Sequence, residues 1–158
     1  MQDSFPSDEY RYKDEQKALF DLDEYAVYVE KDGEKIIAFL AIWEFNDFIF
    51  LEHFAVQKQI RGKGIGSKML NALSKIYSKP ICLEVELPTT EQAQKRIEFY
   101  KRNGYFYNEY EYYQPPISLG KNPLPLRITS YKKQLSFEEF TLVKNTLYKR
   151  VYKTDFSY

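Results

Sequence analysis

The order in which strand-like and helix-like periodicities follow one another constrains the fold most. Three apolar runs, 25–30, 35–45 and 48–56, are separated only by short turns, and consecutive strands joined by short turns pair antiparallel. Apolar residues then recur at helical spacing over 65–77, and an alternating run follows over 81–87. A strand–helix–strand unit places its two strands parallel. The chain is therefore predicted to be an α/β protein, an α+β mixed sheet with helices packed on it.

Capping motifs and periodicity predict the remaining elements. Thr89 and Gln92 form a capping-box pattern that opens a helix ending at Asn103, and Gly104 follows in the position of a left-handed cap. No composition shift marks an internal boundary, so residues 1–158 are predicted to form a single domain. The other predicted elements are a helix over 8–20, strands over 105–113 and 126–135, a proline-rich loop over 114–125 and a last helix capped by Ser136.

The charge balance and the rare residues exclude several classes of protein. Lys and Arg total 23, as do Asp and Glu, so the formal net charge is zero. Binding to nucleic acid or to an anionic membrane is therefore not expected. The sequence contains one cysteine, Cys82, and one histidine, His53. A single cysteine excludes an internal disulfide, and the two residues are too few to predict a metal site of the Cys/His type. No apolar run is long enough for a membrane span and the first residues lack a signal-peptide pattern, so a cytoplasmic location is predicted.

A glycine-rich segment between a predicted strand and a predicted helix is the strongest functional signal. Gly62, Gly64 and Gly66 alternate there, with Arg61 and Lys63 beside them. The first N–H groups of a helix have no partner within the helix, and glycine lets the backbone approach a ligand closely. Such a segment is typical of a phosphate-binding site. The spacing fits neither the Walker A loop nor the dinucleotide-binding fingerprint.

The segment does fit another pattern, Gln/Arg-x-x-Gly-x-Gly/Ala, with Gln59, Gly62 and Gly64. This is the pyrophosphate-binding signature of the GNAT superfamily of N-acetyltransferases, which the chain resembles over nearly its whole length. The preceding run LEHFAV resembles the family's central strand. The segment from Phe99 to Tyr105, with a helical tyrosine and an Asn-Gly pair before an aromatic residue, resembles the second landmark of the family.

The resemblance implies a cofactor site and a reaction. Acetyl-CoA would lie in a split between the parallel strands 48–56 and 81–87, and no metal would be needed. The chain would move the acetyl group to a primary amine of a small molecule or peptide by direct attack. The alternative is a catalytically silent CoA-binding regulatory or scaffold protein. The implied cofactor contacts are the pantetheine arm along Phe54, Ala55 and Val56, and the phosphates near Gln59 and on the N–H groups of Arg61, Gly62, Lys63, Gly64, Ile65 and Gly66.

Two residues are candidates for proton transfer in that reaction. Glu52 is the candidate base, because a carboxylate in an apolar strand can have its pKa raised by burial; the alternative is a residue of the strand's polar face. Strand alternation places Glu52 on the face of Phe50 and Phe54, and His53 on the other, unless a bulge intervenes. Tyr100 matches the family position of the tyrosine that protonates the leaving thiolate; the alternative is simple packing. The same resemblance makes a nucleophilic Cys82 unnecessary, and packing is the expected role of that residue.

Other features concern the acceptor and the amino end. Glu84, Glu86 and Asp47 could attract a cationic amine, or could be solvated strand residues. The aromatic strand 105–113 and the loop 114–125 lie where the family builds its acceptor pocket. The family fold opens with a strand and a helix before the segment near Ser4, so the first strand and part of the first helix are expected to be missing. The exposed sheet edge that results could pair with a second copy as a homodimer.

Overall fold

A computed structural model describes residues 4–155 as a mixed sheet with helices on both faces. The strands are β1 (Tyr25–Asp32), β2 (Lys35–Glu44), β3 (Ile49–Val56), β4 (Ile81–Glu86), β5 (Tyr105–Tyr107), β6 (Tyr112–Gln114) and β7 (Leu124–Tyr131). The helices are α1 (Lys13–Ala18), α2 (Ile65–Ile76), α3 (Glu91–Arg102) and α4 (Phe137–Thr146), the last followed by a π-helical turn, Leu147–Val151.

The strand order follows from the lengths of the connections. The sheet runs β1-β2-β3-β4-β7-β5, and β6 also pairs with β7. Short turns make β1, β2 and β3 antiparallel, whereas the passage through α2 makes β3 and β4 parallel. The predicted mixed sheet is confirmed. Within residues 4–155, β1 pairs only with β2 and is an edge strand; pairing of that edge with a second copy stays a prediction.

The two faces of the sheet bury separate apolar clusters, because successive strand residues point in opposite directions. Leu40, Leu51 and Leu83 pack with α2 and α3 on one face. Trp43, Phe50 and Cys82 pack with α4 and its π-helical turn on the other. Burial raises the pKa of the Cys82 thiol to about 12, so this cysteine packs in the core as a thiol, as expected.

Four predicted elements differ from the structure. The strand predicted over 126–135 is β7, which begins and ends earlier, at Leu124 and Tyr131. The helix predicted over 8–20 is reduced to α1 between two 3-10 turns. Helix α3 begins one residue later than predicted, because the hydroxyl of Thr90, not that of Thr89, accepts a hydrogen bond from the Ala93 N–H. The strand predicted over 105–113 is divided into β5 and β6. Asn108 interrupts it: its side chain donates to Ile128 O and accepts from the Leu135 N–H.

No helix in the described part of the chain combines the length and the apolar character needed to cross a membrane.

Candidate functional site

The two central parallel strands diverge after only three paired residues. Ile49–Leu51 of β3 pair with Ile81–Leu83 of β4. Beyond these pairs, the edge of β3 that faces β4 has no strand partner within residues 4–155. A cavity of about 640 Å³ opens at this point. The cavity reaches from the glycine segment before α2 to side chains of β3, β4 and α3, so the divergence creates the site.

The glycine segment forms one wall of the cavity. Gly62 and Gly64 have φ angles of +81° and +79°, and a side-chain carbon built on either would meet no atom within 4 Å. Gly64 is the N-cap of α2, and no side chain among the described residues caps the first N–H groups of that helix. At Gly66 the reason for glycine is lack of space, since an added side-chain carbon would lie 3.1 Å from the ring of Phe99. The open backbone and the free helix N-terminus fit a phosphate ligand.

The cavity brings together most of the residues that the sequence singled out for the cofactor. Gln59 and Lys63 do not line it and are exposed. The side chain of Arg61 does reach it, while its Nε donates a 3.0 Å hydrogen bond to Val56 O. Of the predicted cofactor residues, the lining includes Phe54, Ala55, Val56, Arg61, Gly62, Gly64, Ile65 and Gly66.

A β-bulge changes the faces predicted for β3. Ala41 pairs with His53 and Ile42 pairs with Leu51, so Glu52 is the extra residue of the bulge. Both Glu52 and His53 therefore lie on the face of Phe50, whereas Phe54 packs on the opposite face. Glu52 thus shares the face of Phe50 as predicted, whereas the faces given by simple alternation for His53 and Phe54 were wrong, because the extra residue shifts the parity of the strand.

Glu52 is held as a buried anion. Its side chain is 2% exposed, and Arg11 Nη1 lies 2.7 Å from its Oε1. Burial raises the pKa of Glu52, but the charge of Arg11 and the contact with His53 outweigh burial and lower it to about 2. His53 Nδ1 lies 3.4 Å from Glu52 Oε2, and His53 Nε2 donates a 2.6 Å hydrogen bond to Glu9 O. The expectation of a raised pKa for Glu52 was wrong, because it left out Arg11.

Glu84 lies beside Glu52 on β4 and has the opposite electrostatic character. Tyr112 donates a hydrogen bond to Glu84 Oε1, and Tyr152 Oη lies 2.9 Å and 2.7 Å from the two carboxylate oxygens. Burial, aided by the charge of Glu52, raises the pKa of Glu84 to about 7 despite these hydrogen bonds. Sequence reasoning named Glu84 as a residue that could attract a cationic amine or be solvated, but not as a base, since its two tyrosine partners lie far along the chain.

Tyr100 of α3 also lines the cavity, and its side chain is 7% exposed. Burial is the main reason why its pKa lies well above the ordinary value, so the hydroxyl stays protonated. Its ring makes edge contacts with Phe99 and Tyr105. The structure thus places Tyr100 both in the packed face of α3 and at the cavity, where it can donate a proton.

The segment 4–11 covers one end of the cavity, to which Ser4, Phe5 and Glu9 contribute. The ring of Phe5 lies 4.9 Å from that of His53. Carboxylates gather at this end, because Glu86 of β4 lines it as well and forms an ion pair with Arg96. This end of the cavity is therefore bordered by the segment 4–11 and is rich in acidic groups.

Comparisons with known proteins show which family of sequences this chain resembles. The sequence model of the family described as "Acetyltransferase (GNAT) family" matches residues 1–105. The Bacillus subtilis protein named "Putative acetyltransferase YjbC" is 36% identical over 105 residues, which are 65% of this chain and 52% of that protein. The chain thus spans about half the length of this curated relative.

Solved structures extend the comparison to the fold. A GNAT-family acetyltransferase structure from Bacteroides thetaiotaomicron, described as putative, has a TM-score of 0.89 and 32% identity, over 97% of this chain and 88% of that one. Arabidopsis thaliana Naa50, in complex with the bisubstrate analogue CoA-Ac-MVNAL, has a TM-score of 0.59 and 20% identity, over 83% of this chain and 85% of its own.

Proposed function

The chain belongs to the acetyltransferase (GNAT) family, and we propose that it transfers the acetyl group of acetyl-CoA to a primary amine of a small molecule or peptide. One observation carries the proposal: a single cavity connects the glycine-lined N-terminus of α2 with the carboxylate of Glu84. A phosphate-binding backbone and a proton acceptor in one cavity are what an acetyl transfer from a CoA thioester requires.

The cofactor end is formed by backbone rather than by side chains. The N–H groups at the start of α2, with Gly62 and Gly64 facing open space, would hold the phosphates. The unpaired edge of β3 from Phe54 to Val56 would hold the pantetheine arm and offer N–H groups to the acetyl carbonyl. Acetyl-CoA, when bound, supplies the acetyl group as a thioester.

Glu84 is the proposed general base, in place of Glu52. An alkyl ammonium has a pKa of about 10.4, so nearly all of the amine is protonated at neutral pH. Each molecule must lose a proton before its nitrogen can attack. Proton transfer is least unfavourable to a group whose pKa lies near that of the donor. The pKa of Glu84 is about 7, whereas that of Glu52 is about 2. Both side chains line the cavity, so this difference favours Glu84.

Tyr100 is the proposed general acid. Its hydroxyl is protonated at neutral pH, as a tyrosine with an ordinary or raised pKa must be, and Tyr100 lines the same cavity as Glu84. A proton held there can be given to the thiolate that leaves the acetyl group. Cys82 takes no part, since it is buried in the core away from the cavity lining.

Calorimetric titration of the purified protein with acetyl-CoA and with CoA is the experiment that tests the proposal. We expect saturable binding near one ligand per chain, followed by release of free thiol when primary amines are added. Binding without thiol release from any amine would favour the alternative of a silent CoA-binding protein. The absence of binding to folded protein would contradict both.

A further inference from the structure

Glu9 is held at the cavity by its backbone, and its carboxylate has no partner within residues 4–155. His53 Nε2 holds the backbone oxygen of Glu9 at 2.6 Å, and the neighbouring Arg11 is held by Glu52. The Glu9 side chain lines the cavity but forms no hydrogen bond or ion pair with residues 4–155. Burial and the nearby charge of Glu86 raise its pKa, and the nearby Arg96 and His53 offset this only in part. A partly buried carboxylate beside a second one is destabilising unless a cation joins them.

The charges at this end of the cavity do not balance. Arg11 is paired with Glu52, and Arg96 is paired with Glu86. Two carboxylates, those of Glu9 and Glu84, remain without a cationic partner from the described residues. The reacting ammonium would balance Glu84. Arg96 lies close enough to Glu9 to lower its pKa, but it is already paired with Glu86, so a second positive charge on the acceptor would balance Glu9.

The buried atoms of Glu52 independently point to a ligand with N–H donors. Its side chain is 2% exposed and lines the cavity. Arg11 and His53 contact its two oxygens at 2.7 Å and 3.4 Å without ideal hydrogen-bond geometry, and an ionised carboxylate has lone pairs for further donors. Buried carboxylate oxygens normally accept hydrogen bonds, and an ammonium beside Glu84 would supply them.

We propose that the acceptor amine carries a second cationic group, and that Glu9, beside Glu86, binds this group and determines acceptor specificity. The inference rests on the proposed function, which it refines. Glu84 and Glu86 lie two residues apart on β4 and both line the cavity, which separates them by about 7 Å along the strand. Flexible diamines such as 1,4-diaminobutane and 1,5-diaminopentane span such a distance.

The test compares diamines with monoamines in acetyl transfer. Thiol release from acetyl-CoA is measured with 1-aminobutane, 1,4-diaminobutane and 1,5-diaminopentane, using the full chain and its Glu9→Gln variant. We expect the full chain to prefer the diamines by about tenfold in kcat/KM, as one partly buried charge pair provides. The ratio of kcat/KM for a diamine to kcat/KM for 1-aminobutane should fall close to one in Glu9→Gln. The matched control is Asp8→Asn, since Asp8 lies outside this cavity and contacts Asn122; it should keep the ratio.

Equilibrium binding separates failure of this inference from failure of the proposed function. The same amines are titrated into protein saturated with CoA, where no reaction occurs. Diamine binding that is weakened by Glu9→Gln supports the inference even if no amine is acetylated. The inference would be overturned if the full chain acetylated and bound the monoamine and the diamines equally well. Acetyl transfer to all of these amines would still support the proposed function. A diamine preference that survives in Glu9→Gln would also overturn it.

Discussion

Glu52 and Glu84 lie side by side, one position past the last paired residues of the two central parallel strands, yet their pKa values move in opposite directions. The register ends at Leu51 and Leu83, so both carboxylates stand where the strands diverge. Arg11 holds the pKa of Glu52 at about 2, whereas Glu84, bonded only by neutral tyrosine hydroxyls, has a pKa of about 7. Two carboxylates in one cavity thereby differ in character, and this difference is the basis for proposing Glu84 rather than Glu52 as the proton acceptor.

Replacement of Glu84 by Gln should remove the proton acceptor. We expect kcat/KM for an amine to fall by about 10²–10⁴, with acetyl-CoA binding unchanged by calorimetry. A base acts when deprotonated, so kcat/KM of the unmodified chain should decline as the pH falls below about 7. Glu84→Gln should lack this decline. Full activity in the variant would exclude Glu84 as the base.

The negative charge of Glu52 should affect the pH dependence of kcat/KM through the pKa of Glu84. Glu52 raises the pKa of Glu84 by repulsion, so Glu52→Gln should move the decline to lower pH while the reaction continues. If Glu52 were itself the base, its replacement would instead abolish the reaction, as expected for Glu84→Gln. The two profiles, measured by thiol release between pH 5 and 9, distinguish the two assignments.

Arg11→Met should destabilise the fold by leaving a buried carboxylate without its partner, at a cost of about 3–5 kcal/mol at neutral pH. In the unmodified chain the pKa of Glu52 is lowered on folding to about 2. The contribution of ionised Glu52 to the free energy of unfolding is therefore fully present above the unfolded pKa of about 4.5, and it is lost as the pH falls toward 2. In Arg11→Met, burial without the arginine would raise the pKa of Glu52. Protonation of Glu52 at lower pH should therefore reduce the loss of stability caused by the substitution.

Urea unfolding at pH 7 and pH 4 measures this change. The matched variant is Arg11→Met with Glu52→Leu, which removes both charges and should recover most of the stability. Equal stability of Arg11→Met and the unmodified chain at pH 7 would show that the ion pair does not hold Glu52.

Gly64→Asp should abolish CoA binding. The added carboxylate would lie at the free N–H groups of α2, where it would accept the hydrogen bonds proposed for the phosphates and repel them. The matched control is Gly33→Asp in the β1–β2 hairpin, where φ is +61° and an added carbon also meets no atom within 4 Å. Both variants carry similar backbone strain, so only Gly64→Asp should lose binding in calorimetry. Retained binding would contradict the cofactor site.

The sequence predicted most of the framework but only part of the site. The antiparallel strands, the parallel pair and the glycine segment follow from local periodicity and spacing, and the structure confirms them. The pKa values of Glu52 and Glu84 could not be predicted, because their partners Arg11 and Tyr152 are far away in sequence. The bulge at Glu52 has no composition signal either, since it arises from the register between β2 and β3. Cytoplasmic location stays a prediction.

Tyr100→Phe should slow turnover and leave cofactor binding nearly intact. The change removes a hydroxyl whose pKa is raised by burial and which lines the cavity, while the ring contacts with Phe99 and Tyr105 can remain. Loss of a general acid costs about 10²-fold or more in kcat. Tyr105→Phe is the matched control: its hydroxyl is buried without a hydrogen-bond partner in residues 4–155 and does not line the cavity. Similar kcat values for the two variants would assign Tyr100 to packing alone.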